Sequence, residues 1–253
     1  MRRLRDIGRF VLFLLVAATA GAQEPFFMDS ATHPSRGITT VRSLLLYRDT
    51  KAGDLGQVRL KLAHGIRSDL ALLGEWGART GEENGLEEAA LRLKWRFLQR
   101  DVGPVNTIRA SFLAGTEIPA DTLERTEDGW NPLANVVATA ILGRHGINAS
   151  AGYRRITADD RDFNGETRID ASYLYRLHPR QYDMTTRASW YAVSEWNSRI
   201  RGESDYEVRW TPGFLYEAWR WAAELGVILP LAHETETIND TRWGIVAGLR
   251  SLF

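Results

Sequence analysis

Apolar and polar residues alternate along most of the chain. In its last segment, residues 241–253, Trp243 and Ile245 fall on one side of the pattern and Arg242 and Arg250 on the other. A period of two with one apolar and one polar face is typical of a half-buried β-strand. Earlier segments repeat this pattern, so we predict about twelve strands.

The predicted strands are long, and their connections follow a regular order. Several strands run for roughly 10–14 residues, whereas strands in soluble proteins average about 5–6. About ten residues are enough to cross a membrane at a tilt of about 45°. Short connections at 65–67, 99–103, 143–146, 178–182 and 218–219 alternate with longer, more polar ones at 80–85, 118–131, 158–164, 197–203 and 231–240. We therefore predict an all-β fold: a single transmembrane antiparallel up-and-down β-barrel with short periplasmic turns and longer outer loops.

A secreted soluble β-sandwich or lipocalin-like barrel would show the same alternation, with the apolar face inside. Two features favour the membrane. Small alanines stand at mid-strand on the apolar face, where a soluble core would need volume but lipid does not. Aromatic residues gather near the strand ends, as expected at membrane interfaces: Tyr47, Trp76, Trp95, Trp190, Trp196, Tyr206, Tyr216 and Trp243.

The two ends of the chain agree with an outer-membrane destination. Residues 1–22 have the arginine-rich start, short apolar run and small-residue end of a secretory signal peptide. We expect residues 23–36 to form a periplasmic leader or partial plug, and residues 37–253 the outer-membrane barrel. The terminal Phe253 resembles the signal read by the barrel-assembly machinery. The expected partners are this machinery, outer-membrane lipid and lipopolysaccharide, in the bacterial cell outer membrane.

Composition narrows the possible functions. The chain has 32 basic and 32 acidic residues, a balance that disfavours nucleic acid as a partner. It contains no cysteine, which excludes disulfides and thiolate chemistry. Nine tryptophans and eight tyrosines exceed the needs of an ordinary soluble domain and suit a membrane interface.

Three segments carry a resemblance to a known family. They are LKLAHGIRSDLALLGEWGA at 60–78, AGTEIPAD at 114–121 and TPGFLYEAWRWAAELGVILPL at 211–231. These resemble hairpins of outer-membrane barrels described as meta-pathway phenol-degradation transporters, although Ala120 stands where that family usually has glycine. The resemblance implies a twelve-stranded barrel and the passage of small, often aromatic compounds.

If the apolar face meets lipid, the charged face lines the lumen, and basic residues outnumber acidic ones there. The richest basic stretch is Arg92, Lys94 and Arg96 on one strand, with Arg109 on the next. The candidate residues for binding a solute in the lumen are Arg92, Lys94, Arg96, Arg109, Glu75 and Arg187. Such a lining favours anions in a polar passage. Equally, cross-strand ion pairs could fill and stiffen a narrow barrel.

Signals for catalysis or metal binding are weak. His233 is the histidine nearest to where lipid-modifying barrels carry theirs, but no serine in a G-x-S-x-G setting accompanies it. Asp160, Asp162 and Asn164 match the first half of a calcium-binding loop, and Ala171 stands where the bidentate Glu is needed. We expect no enzyme activity and no cofactor.

The sequence supports one principal function and two alternatives. We expect an outer-membrane barrel that passes or binds small amphipathic solutes, aromatic or anionic, through a charged lumen. The first alternative is a plugged structural or adhesive barrel that acts through its outer loops, chiefly 118–131 and 231–240. The second is a lipid-modifying outer-membrane enzyme.

Overall fold

The computed structural model describes residues 24–51, 53–81, 84–102, 105–118, 129–157, 164–182, 186–201, 205–234 and 241–253. Within them lie thirteen β-strands: β1 (Thr39–Thr50), β2 (Asp54–Gly65), β3 (Leu70–Thr80), β4 (Gly85–Leu86), β5 (Ala89–Val102), β6 (Asn106–Ile118), β7 (Asn131–Leu142), β8 (His145–Arg155), β9 (Gly165–His178), β10 (Ala188–Ile200), β11 (Tyr206–Ala218), β12 (Trp221–Glu234) and β13 (Thr241–Leu252). No helix in these residues is long and apolar enough to cross a membrane.

Twelve of the strands form a closed antiparallel barrel, which confirms the predicted fold class and strand number. Each long strand pairs with its neighbours in sequence, and the two-residue β4 lies against β3 only. The last strand closes the ring by pairing with the first, from Thr40 opposite Leu252 to Thr50 opposite Thr241. The backbone N–H and C=O groups of Thr39 and Phe253 complete this seam. Closure leaves no open edge among the twelve long strands that are described, as a lipid environment requires.

The faces of the wall follow the alternation in the sequence. In β1, Leu45 is 52% exposed on the outside, whereas Arg42 is 3% exposed on the inside. The pattern slips at a bulge in β5, where Phe97 and Leu98 both lie outside. An apolar outer surface around a charged interior is the arrangement of a membrane barrel.

Aromatic side chains form two belts on the outer surface. At the end with the longer connections, which we call the outer end, Tyr47 contacts Trp243 with ring centroids 5.6 Å apart. At the inner end Trp190, Tyr216 and Trp221 form a continuous row, with centroids 4.7 and 5.0 Å apart. Such belts mark the two membrane–water interfaces.

Several expectations fall on parts of the chain outside the described residues. They concern residues 1–22, Asp160 and Asp162, and most of the loops at 118–131 and 231–240. Two of the predicted outer loops are shorter than expected, because β10 continues to Ile200 and β12 to Glu234.

Candidate functional site

Residues 24–34, which we call the plug, lie inside the barrel, in the segment expected as a periplasmic leader or partial plug. The plug forms no strand, so its backbone polar groups depend on side chains of the wall. Glu195 accepts the N–H groups of Phe27 and Met28 at 3.1 and 2.8 Å. At Ala31, Thr139 Oγ1 accepts the N–H and Ser111 Oγ donates to the carbonyl, both at 2.8 Å. Lys94 Nζ donates to the carbonyl of Thr32 at 2.7 Å. Because these groups come from opposite sides of the wall, the plug crosses the lumen.

The ring of Phe26 anchors the plug in an apolar niche that the sequence analysis missed. Phe26 is 1% exposed and packs among inward-facing apolar side chains, including Leu44, Leu215 and Ile228. Gly213 and Gly226 are paired on neighbouring strands and open the space for the ring. A Cβ atom would come within 2.6 Å of the ring at Gly213 and 3.0 Å at Gly226. The niche therefore needs glycine on both strands.

Three arginines of the wall bind the plug by the same arrangement. Each lies between one carboxylate of the plug and one of the wall. The pairs are Arg42 with Glu24 (3.8 Å) and Glu224 (2.7 Å), Arg92 with Asp29 (2.8 Å) and Glu75 (2.9 Å), and Arg250 with Glu24 (3.2 Å) and Glu217 (3.3 Å). All three guanidinium groups are thereby neutralised at the level of the plug.

The two plug carboxylates remain charged in this setting. Burial alone would raise the pKa of Asp29, but Arg92, Lys61 and Lys94 outweigh it and hold that pKa well below its usual value. Burial likewise opposes the charged form of Glu24, yet Arg42 and Arg250 lower its pKa. Docking of the plug is therefore linked to the ionised form of both carboxyl groups.

The six residues expected to bind a solute do not all lie together in the structure. Arg92, Lys94 and Glu75 lie together, and all three are engaged by the plug or by each other. Lys94 is buried, 2% exposed, with its Nζ on the carbonyl of Thr32. In this structure these residues hold the plug.

The other three expected residues lie elsewhere. Arg96 donates to the carbonyl of Ser68 in an inner turn. Arg109 is at the inner end of β6, 3.7 Å from Asp101. Arg187 precedes β10, is exposed, and lies over the ring of Trp219 at 5.9 Å. The alternation predicts the face of a side chain but not its height in the barrel.

A small cavity remains between the plug and the wall at the inner side. Its volume is about 70 Å³, and its lining includes Thr40, Lys61, Lys94 and His33. A cavity that holds benzene measures about 150 Å³. This cavity is therefore too small to hold an aromatic ring.

A compact ion-pair network occupies one side of the lumen nearer the outer end. Glu166 is fully buried and pairs with Arg154 at 3.5 Å, with Arg201 at 2.7 Å and with Arg168. Glu117 adds a second carboxylate between Arg154 and Arg168. This network is the ion pairing that the sequence offered as the alternative to an open lumen.

Three further arginines, Arg48, Arg199 and Arg209, lie on the outer side of the plug, and we call them the arginine cup. Arg209 lies 5.8 Å from the ring centroid of Phe27 and 3.5 Å from Glu207. Arg48 donates to Gln57, and its Nε is buried without a partner. The side chain of Arg199 has no carboxylate within 4 Å in the described residues, and Glu166 and Glu207 act on it from farther away. Arg199 is not among the lumen residues expected from the sequence, because the polar composition of 197–203 predicts a loop there, whereas β10 continues to Ile200.

Two of the residues considered for catalysis or metal binding, Asp160 and Asp162, lie outside the described residues. His233 is exposed near the outer end of β12, opposite Glu207 on β11. Of the calcium-loop residues only Asn164 is described, and its carbonyl accepts the N–H of Ile156. Within the described ranges, no three His, Asp or Glu side chains are grouped as a metal site.

Comparisons with known proteins show the fold. The sequence matches no family model and no curated protein. An outer membrane channel from Pseudomonas putida F1 is similar at 12% identity over 88% of this chain and 97% of the channel, with a TM-score of 0.54. LpxR from Salmonella typhimurium is similar at 10% identity over 84% of this chain and 100% of its own, with a TM-score of 0.47.

The likeness to the Pseudomonas putida channel agrees with the apolar outer surface, the two aromatic belts and the closed ring of strands. At such low identity the comparison supports the architecture, and the interior must be interpreted from its own residues. The chain is a single twelve-stranded antiparallel β-barrel of the bacterial outer membrane.

Proposed function

We propose that the barrel binds small amphipathic anions from the outer side and passes them through its lumen when the plug moves. The observation that carries this proposal is the uneven neutralisation of the lumen. At the plug, Arg42, Arg92 and Arg250 each meet two carboxylates. In the arginine cup, Arg48 and Arg199 meet none within 4 Å in the described residues. Unpaired cations in a narrow, low-dielectric passage attract anions.

The plug determines how such passage would be controlled. It is held by side-chain contacts from the wall and by one aromatic ring, with no strand pairing of its own. Contacts of this kind can be released without opening the barrel wall. The Pseudomonas putida protein of similar fold is described as a channel, and the resemblance to phenol-degradation barrels points to aromatic solutes. Both support a role in passage.

Matched solutes of opposite charge test this proposal. We expect proteoliposomes to take up benzoate faster than benzylammonium, which has a similar size and shape. We expect a variant with a displaced plug, such as Gly226→Leu, to take up both faster and to keep the preference for benzoate. Equal rates for the two ions, or no uptake by either protein, would refute the proposal.

The filled lumen also favours one alternative, a closed barrel that acts through its outer loops. In that case neither the wild type nor Gly226→Leu would pass solute, although both would fold. We propose a non-enzymatic role, and lipid turnover by the wild type that is lost in His233→Ala would contradict it.

A further inference from the structure

The arginine cup has the chemistry of an anion site. Arg48 comes from β1, Arg199 from β10 and Arg209 from β11. Arg209, Arg59 and Arg199 are the cations near enough to act on Arg48, and Glu207 is the carboxylate near enough to do so. Among the groups near Arg48, guanidinium groups therefore outnumber carboxylates.

The pairing of the neighbouring arginines sharpens this contrast. Arg59 is within 4 Å of Glu75 and Glu87, and Arg168 is paired with Glu166 and Glu117. Among the described residues, Glu207 is the one carboxylate within 4 Å of a cup arginine, 3.5 Å from Arg209. Glu166 also acts on Arg199, but it is already paired with Arg154, Arg168 and Arg201. The described part of this region therefore has more guanidinium groups than carboxylates. Charged groups removed from water are normally paired, so such an excess indicates a missing anionic partner.

The groups in the cup suit a compact head group. The ring of Phe27 in the plug lies 5.8 Å from the guanidinium group of Arg209. Guanidinium groups are planar N–H forks, which match the oxygen pairs of carboxylates and phosphates. The buried Nε of Arg48, which has no partner, supplies a donor for such an oxygen.

We propose that the arginine cup binds the carboxylate or phosphate group of an anionic solute on the outer side of the plug. This inference rests on the proposed function and names its substrate class: solutes with an oxyanion head group. The ring of Phe27 lies where the apolar body of such a solute could make contact.

The test is equilibrium binding to the refolded, full-length chain in detergent, measured by calorimetry with benzoate and with inorganic phosphate. We expect saturable binding in the millimolar range or tighter, weakened by added salt. Arg48→Gln and Arg199→Gln should each weaken binding about tenfold or more, which is the contribution of one charge-assisted hydrogen bond. Arg48→Lys keeps the charge and should lose less.

Arg242→Gln is the matched control, because it removes the same charge from an exposed rim position, where Arg242 is 3.9 Å from Asp49. It should change the dissociation constant less than about twofold. Heat-modifiable migration in gels confirms folding of each variant, and Arg199→Lys replaces Arg199→Gln if the latter does not fold. Stronger binding of benzoate would identify aromatic carboxylates as the source, and stronger binding of phosphate would identify phosphorylated solutes.

Two results would overturn the inference: no binding of either anion, or equal weakening by Arg242→Gln and the cup variants. Because binding is measured without flux, the result can refute the anion site without refuting passage, and the flux experiment can refute passage without refuting the site. Binding without uptake would refute passage and leave the site, whereas selective uptake without binding would refute the site alone.

Discussion

The arginines that hold the plug and the arginines of the cup share one barrel interior but differ in their partners. Arg42, Arg92 and Arg250 each join a carboxylate of the wall to a carboxylate of the plug. Arg48 and Arg199 have no carboxylate within 4 Å in the part of the chain that is described. The difference teaches that inward-facing charge serves two purposes here. One set binds a segment of the same chain, and the other is the set that we propose binds a solute from outside.

The largest expected effect comes from filling the niche of Phe26. In Gly226→Leu the new side chain must occupy the place of the ring, because a Cβ atom alone would lie 3.0 Å from it. We expect the plug to leave its site while the barrel stays folded. The chain has no cysteine, so Ser30→Cys in the buried plug gives a unique label. Its reaction with a membrane-impermeant maleimide should accelerate by at least about tenfold, the equivalent of ~1.4 kcal/mol.

A control and a rescue make this prediction specific. Ala223→Leu adds the same bulk to the same strand on the lipid-facing side and should leave labelling unchanged. Phe26→Ala combined with Gly226→Leu removes the clash and should slow labelling again relative to Gly226→Leu alone. Rapid labelling in the Ala223→Leu variant would show that bulk in β12, and not the niche, controls the plug.

Breaking one arginine bridge should have the next largest effect. Arg92→Gln leaves Asp29 and Glu75 close together without the cation that joins them. Removing one partner of a buried pair is destabilising, but Lys61, 3.7 Å from Glu75, remains to neutralise part of the negative charge, so the plug is weakened and not expelled. We expect faster labelling of Ser30→Cys than in the wild type but slower than with Gly226→Leu. Arg92→Lys should fall between Arg92→Gln and the wild type; labelling of Arg92→Gln at the wild-type rate would contradict the bridge.

Lowering the pH should weaken the docking of the plug, whereas the arginines of the cup keep their charge. The pKa values of Asp29 and Glu24 are lowered when the plug is docked, so docking is favoured at neutral pH. This contribution is lost as the pH falls through the ordinary carboxyl range near ~4 and below. We expect conductance in planar bilayers to rise between about pH 5 and 3. Asp29→Asn should raise the conductance at neutral pH and flatten the dependence; an unchanged profile in Asp29→Asn would refute the linkage to Asp29.

How much of this could be predicted from the sequence depends on whether the cause is local. The faces of the strands follow from alternation, as Arg42 and Leu45 show, because neighbouring side chains point to opposite sides. The niche of Phe26 could not be predicted this way. In the run Ser43–Tyr47 three leucines stand together, so inward Leu44 and Leu46 look like their outward neighbour. The plug itself has no periodicity, and its contacts depend on residues far away in sequence.

For the same reason, the sequence could not predict that Arg92 and Lys94 hold the plug. Alternation indicates that Arg92 and Lys94 face the interior, but their partners Asp29 and Thr32 precede the first strand by several residues. Arg199 is hidden from the sequence because 197–203 has the composition of a loop, although the alternation of Glu195, Asn197 and Arg199 continues to the end of β10. Pairing with β9 and β11 extends the strand through these residues.

The smallest expected effect concerns an ion pair outside the lumen and sets the scale for the others. Arg67 and Asp69 pair at 3.1 Å in an inner turn, with side chains 61% and 39% exposed. Water already solvates both groups, so an exposed pair of this kind contributes only about 0.2–1 kcal/mol. Asp69→Asn should therefore shift the urea unfolding midpoint very little and leave Ser30→Cys labelling unchanged. If Asp69→Asn released the plug as strongly as Arg92→Gln, the stability of the plug would reflect the charge balance of the whole barrel, and the distinction between plug-binding arginines and the arginine cup would lose its basis.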